Sequence, residues 1–105
     1  MRDNLLNVEA SKFWFKIVEM LQHNWAVVLP HDDGVEVVFF GDTSRIFDRM
    51  DFLDSGDATS ALRRNGFAIF EEDQHAQSFI AKPEPHLKDE HVYRRPIYSS
   101  GQYWR

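Results

Sequence analysis

The sequence predicts an α+β domain: a four-stranded antiparallel sheet with two or three helices mainly on one face. Three observations carry that expectation. Phe13, Ile17, Met20 and Leu21 recur at helical spacing. Two apolar runs flank Asp33-Gly34, a pair that supplies the positive φ of a tight hairpin. Asn65-Gly66 separates a short helix-like stretch from another apolar run, with Gly suited to the left-handed position after a helix.

The first element reads as a helix from about Val8 to His23, with Asn7 as its N-cap. Lys12, Lys16, Glu19 and His23 fall mostly on a second face. Trp14, Phe15 and Val18 widen the apolar surface beyond one stripe, so this helix is either buried on two sides or offers Trp14, Phe15 and Val18 as an interface. Asn24 ends it. Trp25–Leu29 and Val35–Phe40 read as a pair of strands around the turn Pro30–Gly34. Both strands are apolar on both faces except at Glu36, which predicts cover on both sides.

Gly41–Ser44 closes the hairpin and caps a short helical segment, Arg45 to Met50, with Ile46, Phe47 and Met50 on its apolar side. Asp57 caps a helix from Ala58 to about Arg64, with Ala61 and Leu62 facing inward. Phe67–Phe70 reads as the third strand, Glu71–Gln74 as a turn and Ala76–Ala81 as the fourth strand, with Phe79 and Ile80 as its apolar members. Pro83 and Pro85 end regular pairing. The expected core is Trp25, Val27, Leu29, Val37, Phe39, Phe67 and Ile69 with Phe13, Ile17, Leu21 and Leu62.

Met20–Val28 resembles Ala61–Ile69, since each passes from a helix through Asn into an apolar strand. An α-β-β duplication explains the likeness; so does the shared physics of helix–strand junctions. Residues 1–81 read as a single α+β domain. Residues 82–105 read as a Pro-containing linker followed by a basic aromatic C-terminal tail.

The 105 residues suffice for one core, and nine Phe and three Trp argue against global disorder. Without cysteine there are no disulfides, thiolate metal sites or cysteine nucleophiles. The first residues lack the pattern of a signal peptide, and no apolar run approaches the ~20 residues that span a bilayer, so the expected compartment is cytoplasmic with no membrane partner. Charge is unevenly placed. Residues 1–91 carry nine Lys/Arg against all 17 acids, a balance of −8, whereas residues 92–105 carry Arg94, Arg95 and Arg105 with no acid, a balance of +3. The acidic body repels a phosphate backbone, so binding to nucleic acid would depend on the tail.

No reaction signature stands out. His31 and His75 sit in the two expected hairpin turns beside Asp residues, but no close-spaced ligand pair accompanies them, and neither metal nor cofactor is expected. His86 and His91 fall on the linker. Asp48, Asp51, Asp54 and Asp57 do not match a calcium loop and read as cap, turn and solvent-facing residues. No serine lies in a Gly-x-Ser-x-Gly elbow, and the five Gly are scattered singly. The tail alone has chemical character: Arg94, Arg95 and Arg105 interleave with Tyr93, Tyr98, Tyr103 and Trp104, residue types enriched at binding hot spots. A tail folded back on the acidic body accounts for the same residues.

Three readings of function follow. The leading one is a non-catalytic protein-binding or regulatory module, with self-association into a homodimer as one form. The second is single-stranded nucleic-acid binding through the tail, by aromatic stacking and phosphate contacts. The third is a small enzyme using His31, Asp33 and His75 where the hairpin turns meet.

Overall fold

The computed structural model describes residues 5–19 and 22–89. In chain order the elements are β1 (Leu5–Asn7), β2 (Trp14–Glu19), β3 (Gln22–His31), β4 (Gly34–Phe40), β5 (Ile46–Phe52), α1 (Ser55–Arg64), β6 (Ala68–Ile69), a 3₁₀ turn (Phe70–Glu72), α2 (Gln74–Phe79) and β7 (His86–Lys88). Five strands form one antiparallel sheet in the order β5-β4-β3-β2-β6, and β1 pairs with β7 in a separate two-stranded sheet.

Side chains alternate across the large sheet, and apolar groups occupy both faces. Phe15, Trp25, Val27, Val38 and Phe40 join one cluster with Phe70, Ala76, Ile80 and Leu87. Trp14, Ala26, Val37 and Phe39 join the other with Ala58, Ala61 and Leu62 of α1. The sheet is therefore sandwiched: α1 covers one face, while α2 and the β1–β7 pair cover the other. The register sets Trp25 opposite Phe40 on one face and the small Ala26 opposite Phe39 on the other.

The expected architecture of four strands with helices mainly on one face is overturned, and with it the α-β-β duplication. The stretch expected as the first helix instead contains β2 and the start of β3. Aromatic and β-branched residues dominate Trp14–Val18, and these suit a pleated surface better than a helix. Trp14 and Phe15 at its start are buried on opposite faces, so the strand shows no clean alternation, and Phe13 and Ile17 match helical spacing by coincidence. Ile17, expected in the core, is 48% exposed, and Asn7 accepts from the Glu9 backbone N–H as a turn residue. Leu21 lies outside the described residues.

Arg45–Met50 is likewise not helical; Ile46 begins β5. A bulge opposite Phe39/Phe40 breaks the period of two. It sends Ile46 to one cluster and Phe47, Met50 and Phe52 to the other, which produces the helix-like spacing. The expected fourth strand is α2, capped by Asp73, whose Oδ1 accepts from the Ala76 N–H at 2.9 Å. Phe79, expected as an apolar member of that strand, is 58% exposed at the end of α2. The expected third strand shrinks to Ala68–Ile69 on the edge of β2.

Other expectations match the coordinates. β3 and β4 include both expected strands, and the hairpin turns within the expected Pro30–Gly34, through Asp32-Asp33, with Gly34 opening β4 opposite His31. The helix before Asn65 is present but starts earlier, with Asp54 rather than Asp57 as its cap. Gly66 takes φ +89° after its end. Trp25, Val27, Val37, Phe39, Phe67, Phe13 and Leu62 are buried, and Leu29 and Ile69 pack against the core.

Residues 82–89, the start of the segment read as linker, run extended along the fold. Pro85 O accepts from the Val8 N–H, and Leu87 is fully buried. Ser44, in the β4–β5 loop, holds this strand from both sides. Its Oγ donates to Glu84 O at 2.6 Å and its carbonyl accepts from the Lys88 N–H at 2.7 Å. Ser44 adopts φ +65°, an unfavourable region for a side chain, and these bonds explain how it is held there.

Candidate functional site

A cleft of about 710 Å³ opens where the β3–β4 hairpin, the end of β5 and the outer side of α1 meet. Its walls carry His31 and Asp33 from the hairpin, Asp51, Phe52 and Leu53 from the end of β5, and Asp57, Ser60 and Arg64 from α1. The volume falls in the usual range for ligand sites.

Each wall is positioned by local structure. Just after the hairpin turn, Gly34 at the start of β4 takes φ +151°, and a Cβ there would lie 2.4 Å from the carbonyl oxygen of Phe52. Glycine thus lets the hairpin backbone lie directly against the end of β5. On the third wall, Asp54 Oδ1 accepts from the Asp57 N–H at 2.8 Å and fixes the first turn of α1. Ala58, Ala61 and Leu62 bury the inner stripe of α1, which leaves Asp57, Ser60 and Arg64 facing the cleft. On the neighbouring side of α1, the Arg63 guanidinium lies 5.0 Å from the centre of the Trp14 ring.

The chemistry of the cleft is acidic with an apolar sill. The lining holds three carboxylates and one guanidinium, and Leu53 at its edge is 81% exposed. The Asp33 N–H donates to His31 Nδ1 at 3.4 Å, and Nε2 faces Asp51 Oδ1 at 3.7 Å. Ser60, His31 and Asp51 therefore share a cleft, but both ring nitrogens already face other groups, and Ser60 has no imidazole nitrogen directed to it as base.

A second polar cluster lies at the β4–β5 loop. Asp42 accepts from the His23 N–H at 3.0 Å and from Trp25 Nε1 at 2.8 Å, and its Oδ1 lies 3.0 Å from His23 Nδ1. Burial pushes the Asp42 carboxyl upward, but the bonds from Trp25 and His23 outweigh it and hold the carboxyl below its ordinary value. The cluster ties the loop to β3 through a core tryptophan, a structural role. A smaller hollow of about 220 Å³ lies over Phe13, bounded by Glu9 and Lys82–Pro85. There Lys82 Nζ lies 4.4 Å from the centre of the Phe13 ring and pairs with Glu71.

Of the residues singled out in the sequence, His31 and Asp33 share the cleft. His75 does not line it; it sits on α2, which packs on the other face of the sheet, with its ring 5.1 Å from Phe79. Trp14 and Phe15 are buried on opposite faces of β2 and Val18 is half-buried, on a strand rather than on the expected helix. Tyr93, Arg94, Arg95, Tyr98, Tyr103, Trp104 and Arg105 lie outside the described residues. Asp51, Leu53, Ser60 and Arg64 were not foreseen as neighbours of His31. Their meeting depends on tertiary packing of α1, for which the sequence carries no local signal.

Among the described residues no group of three His, Asp or Glu side chains could hold a metal ion, and no helix is long and apolar enough to cross a membrane. Comparison with known proteins finds no matching family model, no matching curated protein and no matching solved structure.

Proposed function

We propose that this chain is a non-catalytic protein-binding module whose working surface is the cleft between the β3–β4 hairpin and α1. The observation that carries this reading is Leu53. It stands 81% exposed on the edge of a cleft whose lining also holds Asp33, Asp51 and Asp57. A large exposed aliphatic group in a lining with more carboxylates than cations favours an apolar side chain flanked by cationic ones, as in a basic polypeptide segment. With no cysteine in the chain, the cytoplasm is the proposed compartment.

The test is a binding assay with two synthetic peptides of equal aromatic content, one basic and one acidic. The basic peptide should bind with one site per chain, more weakly as salt rises. Leu53→Asp should abolish binding while the unfolding midpoint stays unchanged. Equal binding of both peptides, or binding indifferent to Leu53→Asp, would contradict the proposal.

A further inference from the structure

We infer that the chain supplies an occupant for this cleft itself: residues 92–105, which lie outside the described residues and carry Arg94, Arg95 and Arg105 with no acid. The inference rests on the reading of the cleft as a polypeptide-binding surface. It adds regulation, because a partner must displace the chain's own segment.

Three observations carry it. The first is direction. Arg45 and Lys88 form a parallel bridge, so the chain at Lys88 runs the same way as β5, toward Asp51, Phe52 and Leu53. The second is distance. Asp89 pairs with Arg49, and the end of β5 lies three residues further on, about 10 Å at ~3.3 Å per residue. Sixteen residues follow Asp89, which at the same rise reach roughly 50 Å and easily span that gap. The third is complementarity. Three carboxylates against one guanidinium line the cleft beside exposed Leu53, and residues 92–105 offer three Arg with Tyr93, Ile97, Tyr98, Tyr103 and Trp104. Attachment through so short a connection gives an effective concentration in the millimolar range, so even weak docking is populated.

The full chain has no cysteine, so a nitroxide on Ser100→Cys labels a single position. In the labelled chain the amides of Leu53, Asp57 and Ser60 should lose most of their intensity. Those of Ala76–Phe79, on the opposite face, should keep theirs. The loss should persist when the labelled, NMR-visible chain is diluted into excess unlabelled, NMR-silent chain, and should be reversed by Arg94→Glu with Arg95→Glu. No loss at the cleft, equal loss on α2, disappearance of the effect on dilution, or indifference to the charge reversal would each overturn the inference. The two claims fail separately. Binding of the basic peptide at Leu53 without the spin-label effect leaves the binding module standing and removes only the self-docking. The spin-label effect in a chain that takes up no added peptide, even with Arg94→Glu and Arg95→Glu, does the reverse.

Discussion

The two faces of the central sheet are closed in different ways. One face is sealed by aromatics. Trp25 lies against Phe13, Phe15 and Phe70 with ring centres 5.3–6.0 Å apart, and α2, β1 and β7 cover them. The other face carries buried aromatics too, Trp14, Phe39 and Phe67, but its cover is a single ten-residue helix whose inward residues are mostly alanine. Small side chains seat α1 close to the sheet, but one helix cannot cover a five-stranded sheet to its end. The uncovered corner, beside the hairpin and the end of β5, is the cleft. The contrast teaches that the face closed by several elements leaves no opening, whereas the face under one short helix keeps the corner proposed as the binding surface.

That contrast can be broken most severely at Trp25. Trp25→Ala should cost about 3–5 kcal/mol, since it leaves a cavity among fully buried rings, and should appear as a large drop in the urea midpoint. A cost near that of an exposed site would mean that Trp25 does not anchor its face of the sheet. Gly34→Ala comes next. Its strained φ and the 2.4 Å approach to the Phe52 carbonyl predict a cost of about 1–3 kcal/mol, with amide shifts concentrated at Phe52 and Leu53. Asp54→Ala removes the cap of α1 and should cost about 1 kcal/mol by the same denaturation assay.

A subtler break concerns pH. The folded Asp42 carboxyl is more acidic than the unfolded one, whose ordinary value is 3.8. Its contribution is therefore complete above that value and lost as pH falls through the lower folded value. Stability should decline on acidification below about pH 4, and Asp42→Asn should flatten that decline. An unchanged acid limb in the variant would show that the bonds from Trp25 and His23 do not bias its ionisation. The smallest stability effect belongs to Leu53→Ala. At 81% exposure it should shift stability by no more than about 0.5 kcal/mol, while weakening uptake of a basic peptide.

The sequence made some of this fold legible and hid the rest for physical reasons. The β3–β4 hairpin could be read because Asp33-Gly34 is a local signal between two strands. The end of α1 could be read for the same reason, since Asn65-Gly66 acts locally. β2 could not, because burial of Trp14 and Phe15 on opposite faces erased the alternation that marks a strand, and Phe13 and Ile17 imitated a helix. β5 was disguised by its bulge, which moved Phe47 out of phase. In α2, the capping Asp73 was hidden within an acidic run that reads as a turn. Two members of the cleft, His31 and Asp33, were visible as a hairpin turn. Leu53, Ser60 and Arg64 were not, because only the docking of α1 brings them beside it.

The division of labour between the faces is tested most directly by amide chemical-shift mapping of the full chain during titration with the basic aromatic peptide. Perturbations should cluster at His31–Gly34, Asp51–Leu53 and Asp57–Arg64, and leave Ala76–Ile80 unchanged. Shifts centred on α2, or none at saturating peptide, would contradict the assignment of the working surface to the helix-covered face.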